Sequence, residues 1–131
     1  MSDVSTQYKF LERRPKSNYK QLVVKGTRVF ARTLYGQHMS EEEPRTIEEI
    51  AADYNLPIEA VREAIAYCDT DPIEIREDFA REEAIIEATG MNDPNYKYDP
   101  SRRKSLSPQE YSRIIREVEE RFAKERAERS E

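Results

Sequence analysis

The chain has 131 residues and a net charge of −5, and its charged fraction of 37% equals its hydrophobic fraction. A usual chain is about one quarter charged, so this composition describes one compact core of about 80 to 90 residues with charged appendages. Three glycines, one cysteine and one histidine exclude a Gly-rich phosphate loop, a disulfide framework, a multi-Cys zinc site and most His-based catalytic constellations.

Residues 1–20 are polar and aperiodic, with Tyr8, Phe10 and Tyr19 among Arg13, Arg14, Lys16 and Lys20, and read as a basic arm. Leu22-Val23-Val24 is a β-branched run that predicts a strand. A turn at Lys25-Gly26-Thr27 then leads to a second extended piece at Arg28-Val29. From Phe30 the spacing changes to four, with Phe30 facing Leu34 and Ala31 facing Tyr35, which predicts a first helix ending near residues 36–40.

Residues 41–44 form a polar loop. Thr46-Ile47-Glu48-Glu49 has the form of a capping box and opens a second helix that buries Ile47, Ile50, Ala51 and Tyr54. Asn55 tolerates the left-handed conformation that ends a helix sharply. Pro57 suits the first turn of a third helix, whose buried face is expected to carry Ile58, Val61, Ala64, Ile65 and Cys68. Asp71-Pro72-Ile73-Glu74 reads as the cap of a fourth helix running through Ile75, Phe79, Ile86 and Ala88 to Gly90. Pro94 and Pro100 mark residues 91–107 as a linker. Ser107-Pro108-Gln109-Glu110 caps a last helix of about 33 Å with Tyr111, Ile114, Ile115, Val118 and Phe122 as its stripe.

The expected architecture is therefore mainly α. It is a helix-turn-helix bundle over residues 21–90 with a short N-terminal β element, followed by the 91–107 linker and an amphipathic helix over residues 108–131. The helix-turn-helix itself lies at residues 46–68. Ala51 is small where the two helices cross, Asn55 makes the turn, and Leu56, Val61 and Ala64 or Ile65 clamp the angle.

Charge divides along the chain into +6 over residues 1–39, −12 over 40–90 and +1 over 91–131. Groove-facing positions of the third helix would be Ile58, Glu59, Arg62 and Glu63, two of them acidic. Affinity for DNA comes mainly from phosphate neutralisation. The candidates for it are Lys25, Arg28 and Arg32 from the basic front, Arg45 before the second helix, and Arg62, with Thr46 as a further DNA contact. A homodimer would double these contacts.

Three segments together resemble domain-of-unknown-function family 433: Lys25-Gly26-Thr27-Arg28-Val29, Ile50-Ala51-Ala52-Asp53-Tyr54, and Leu56-Pro57-Ile58-Glu59-Ala60-Val61 with Ala64-Ile65-Ala66-Tyr67. The resemblance covers residues 19–90. It implies a dimeric, VapB-like antitoxin domain with a winged helix-turn-helix, often paired with a PIN-like nuclease toxin, and it supplies no catalytic residues. Glu41-Glu42-Glu43-Pro44 and the chain after residue 90 depart from the family pattern.

A lone helix of the length of the last one is marginal in water, so the stripe Tyr111, Ile115, Val118 and Phe122 needs a surface: its own domain, a second copy or another protein. Arg102-Arg103-Lys104 precedes it as a basic peptide suited to the carboxylates of a PIN-like site. Cys68 reads as core and His38 as a helix-end residue, so no metal, cofactor or catalytic group is expected. Tyr8-Lys9-Phe10 and Tyr96-Lys97-Tyr98 read as segment anchors, although their form is that of base-stacking platforms.

The longest apolar run, residues 64–68, is too short to span a bilayer. The first nine residues lack the apolar stretch of a secretory signal. A cytoplasmic protein without membrane contact is expected. Two functions follow: an antitoxin-like, DNA-binding autoregulator, or a non-enzymatic protein-interaction adaptor that keeps the fold without binding DNA.

Overall fold

A computed structural model describes residues 8–129. In chain order these form β1 (Leu11–Arg13), β2 (Leu22–Val24), α1 (Ala31–His38), α2 (Ile47–Tyr54), α3 (Ile58–Asp69), α4 (Ile73–Thr89), a 3-10 turn (Pro100–Arg102) and α5 (Pro108–Arg129). The architecture is mainly helical with one short antiparallel sheet, as the residue pattern predicts. Over the described residues the chain separates into two compact units, one ending at Ile75 and the other beginning at Arg76.

In the first unit α1, α2 and α3 pack around Leu34, Ile50, Val61 and Ala64, all buried. The Thr46 box is closed in both directions: its hydroxyl accepts the Glu49 N–H at 3.1 Å, and its own N–H donates to Glu49 Oε1 at 3.2 Å. Asn55 adopts φ 55 and ψ 50, and the Leu56 N–H then closes back on the Ala51 carbonyl at 2.9 Å. Pro57 stands one residue earlier than expected, as the N-cap of α3, so Ile58 is the first helical residue. Ile58 is exposed rather than buried, although Ala60 and Val61 of the same turn are wholly buried.

The basic arm is corrected over its described part. Leu11–Arg13 is a strand paired with Leu22–Val24, Leu11 opposite Val24, and Leu11 is wholly buried in the core. The second extended piece is not a named strand: the Val29 carbonyl accepts the Val24 N–H at 2.9 Å, and Phe30 just after it makes a single bridge to Val23. β2 thus takes its main partner from the N-terminal side, and its three residues are all buried. Sequence alternation could not announce β1, because a three-residue strand carries too little pattern.

In the second unit, the start of its part of α4 is joined to the last turns of α5 by ion pairs. Arg76 makes a bidentate contact to Glu125 at 2.5 and 3.1 Å, and Arg126 reaches Glu77 at 2.6 Å. The fourth helix runs through the residues expected, but along it Phe79 and Ile86 are exposed, whereas Glu77, Asp78 and Arg81 are buried. Asp71 has φ 52 and belongs to the turn before the helix, with Pro72 directly ahead of the first helical residue. The Ser107 box is formed as expected, the Glu110 N–H donating to Ser107 Oγ at 3.1 Å.

The linker reading of residues 91–107 is also corrected. Gly90, at φ +84, lets the chain leave α4, and the Lys104 N–H returns to the Thr89 carbonyl at 3.0 Å. Between them the Tyr96 N–H donates to Asp93 O, the Asp99 N–H to Asn95 O and the Arg102 N–H to Asp99 O. Prolines and aspartates that look like linker punctuation here build consecutive turns.

Candidate nucleic-acid interface

The helix-turn-helix displays the early turns of α3, where Glu59 and Arg62 are both exposed. Glu63, assigned to the groove face by its position, is instead turned to the β element. Its Oε1 accepts the Phe10 N–H at 3.0 Å. The Phe10 carbonyl in turn accepts the Lys25 N–H at 2.8 Å. This chain of two bonds fastens the turn after β2 alongside α3. Glu63 is therefore a structural anchor for the strand, and a hydrogen bond from a backbone donor to a carboxylate is about twice as strong as one between neutral groups.

That turn is tight. The Thr27 N–H donates to Val24 O at 3.0 Å, Thr27 Oγ1 donates to the same carbonyl, and the Val29 N–H returns to Thr27 Oγ1. Lys25 and Arg28 stand exposed on it. Lys9, which its position in the sequence assigns to the arm, joins them: it is exposed, with Nζ 5.3 Å from the centroid of the Phe10 ring. Its membership depends on the β1–β2 register, a nonlocal fact without a local signal.

The remaining candidates are spent elsewhere. Arg45 is paired with Asp53, and its Nη1 also reaches Gln37 Oε1 at 3.4 Å. The Arg45 hydrogen bond holds the Asp53 carboxyl below the usual carboxylate range, and Asp53 raises Arg45 in return. The Arg45 carbonyl lies 2.9 Å from His38 Nδ1, so Arg45 ties the 39–45 loop between α1 and α2. Thr46 is committed to its cap. Arg32 is half-buried, and its charge acts on Cys68 near the far end of α3 from Glu59. Of the eight residues proposed for DNA, Lys25, Arg28, Glu59 and Arg62 are exposed, and their side chains carry no role in the hydrogen bonds and ion pairs described above.

The residues proposed for a protein partner divide similarly. Arg102 is held by Asp93 at 2.9 Å and Asp99 at 3.3 Å, and Arg103 donates to the carbonyls of Tyr96 and Lys97 at 2.8 and 3.1 Å. They are loop braces, not a free basic peptide; Lys104 alone of the triplet offers its ammonium outward. On α5, Val118 and Phe122 are buried, Ile115 is half-buried and Tyr111 is exposed. Arg76 and Arg121 place their guanidinium groups over the Phe122 ring at 5.9 and 5.0 Å. The stripe thus packs partly within its own unit.

Cys68 is buried, and that burial pushes its thiol up to about 12. Among the described residues no group of three or more His, Cys, Asp and Glu side chains is disposed to hold a metal ion, and no helix is long and apolar enough to cross a membrane. No family model, curated protein or solved structure matches this chain.

Proposed function

We propose that this protein is an antitoxin-like, DNA-binding autoregulator that acts as a homodimer. The observation that carries the reading is the fastening of the basic turn to the helix-turn-helix through Glu63, Phe10 and Lys25. It sets Lys25 and Arg28 beside α3, so that phosphate contacts would flank a helix whose Glu59 and Arg62 reach base edges. Glu accepts from cytosine N4 and Arg donates to guanine. The resemblance to domain-of-unknown-function family 433 supports the same reading and supplies the expectation of a PIN-like nuclease as partner. With Arg102 and Arg103 used internally, the contact to such a partner falls to Tyr111 and Ile115 on α5.

The test is binding of the full chain to the DNA upstream of its own gene, followed by anisotropy over a range of salt. The log–log slope should be near −0.9 per neutralised phosphate, and Lys25→Ala with Arg28→Ala should flatten it by about 0.9 for each phosphate no longer neutralised. A nuclease encoded beside this gene should lose activity on co-expression, and Tyr111→Ala should restore it.

The adaptor reading has its own observation: Glu48, Glu49, Asp53 and Glu59 are all exposed on the helix-turn-helix and would repel phosphate. It is favoured if no DNA binding is seen at low salt while a stable protein partner is recovered.

A further inference from the structure

The loop between α4 and α5 leaves one aromatic ring almost entirely in water. Tyr98 is 83% exposed, although the backbone on both sides of it is braced: the Tyr98 and Asp99 N–H groups both donate to the Asn95 carbonyl, at 3.0 and 2.9 Å. The ring is held out by an ordered support. Beside it, the Arg103 guanidinium lies 4.9 Å from the Tyr96 ring centroid, which makes a second flat surface of the kind on which bases stack.

Charge around the two rings is sorted by the same bonds. The carboxylates of Asp93 and Asp99 both point to Arg102, and they also accept the N–H groups of Asn95 and Ser101. The loop's negative groups are thereby drawn to one cation. Lys97 and Lys104 remain exposed as the outward charge, while Arg103 is held against the loop. Aromatic faces on a rigid support with interspersed cations bind single strands without reading their sequence, because every base has a π-face and every nucleotide a phosphate.

The geometry points to a binding site for single-stranded nucleic acid on this loop, with Tyr98 as the stacking ring and Lys97 and Lys104 as the phosphate contacts. The site is independent of the helix-turn-helix and requires no duplex.

The experiment titrates fluorescently labelled oligo(dT) and oligo(U) with the full chain at low salt and reads anisotropy. Both should bind, and the ratio of their affinities identifies DNA or RNA as the preferred strand, RNA being distinguished by its 2′-hydroxyl. Tyr98→Ala should weaken binding at least about fivefold, whereas Tyr98→Phe, which keeps the ring, should bind like the parent. Lys97→Ala and Lys104→Ala should each flatten the salt slope by about 0.7. Circular dichroism and thermal melting of Tyr98→Ala should match the parent, since the ring supports no packing. The proposal is overturned if neither oligonucleotide raises the anisotropy, if Tyr98→Ala binds as the parent does, or if Lys25→Ala with Arg28→Ala abolishes oligonucleotide binding. It is equally overturned if Tyr98→Ala loses only a protein partner.

Discussion

A Cβ placed on Gly90 would stand 2.6 Å from the carbonyl oxygen of Arg102. The glycine therefore meets two requirements at once: φ of +84, which L side chains rarely adopt, and passage of another backbone segment against its Cα. The residues before and after the turn-rich loop are brought together at this point.

Gly90→Ala should cost more than about 1 kcal/mol from the backbone conformation alone, and further from the backbone collision, which a flexible side chain cannot relieve. Urea unfolding should show a lowered midpoint. A midpoint equal to that of the parent would mean that the loop moves aside freely.

Leu11 is fully buried, so Leu11→Ala should destabilise the first unit by about 2–5 kcal/mol, as for a core leucine. Glu63→Gln keeps an acceptor for the Phe10 N–H and should be the milder change, with Glu63→Ala costing about 1–2 kcal/mol. Equal stability of the Gln and Ala variants would show that the bond to Phe10 contributes nothing.

The Asp53 carboxyl is held low chiefly by the hydrogen bond from Arg45. A folded-state value below the unfolded one means that the pair stabilises the fold above the unfolded pKa of about 3.9, and that this is lost as pH falls through the folded value. The window is thus below about pH 4. Arg45→Gln should move the Asp53 titration, followed by carbon NMR, upward toward its ordinary 3.8. An unmoved midpoint would sever the link between the two residues.

At alkaline pH the sign reverses. Burial raises the Cys68 thiol from 9.0 to about 12, with Asp69 adding to the rise and Arg32 opposing it. Burial first, and then Glu74, raises the Tyr67 hydroxyl above its ordinary 10.0. The unfolded chain gives up these protons earlier, so stability should fall as pH climbs above about 9. Cys68→Ala should flatten that fall between about pH 9 and 12 when urea midpoints are followed with pH. An identical slope in the variant would remove Cys68 from the effect.

The helix-turn-helix was legible because its determinants are local. Thr46 and Glu49 cap across three residues, Asn55 turns by itself, and Val61 and Ala64 share a face by helical spacing. β1 was not legible, since what makes Leu11 a strand residue is its pairing with Val24 and the bond from Phe10 to Glu63. In α4 the apolar residues do not mark the buried positions: Phe79 and Ile86 are exposed while Glu77, Asp78 and Arg81 are buried, and burial of charge leaves no hydropathy signal. The candidate interface follows the same division. Lys25, Arg28, Glu59 and Arg62 could be chosen from charge and position, but the diversion of Arg45 to Asp53 and of Arg102 to two aspartates depends on contacts made only in the folded chain.

The bond between Phe10 and Glu63 spans 53 residues, and this sets a schedule on the ribosome. At about 5–20 residues per second, β1 leaves the peptidyl centre about 3–10 s before the carboxylate that anchors it has been added to the chain. Once Leu22–Val24 has been made, Phe10 and Leu11 have a hairpin partner but no third helix to cover it. β1 is thus secured only once α3 has been made. Slow decoding between codons 11 and 63 should lengthen the time for which this apolar edge is open to the wrong partner.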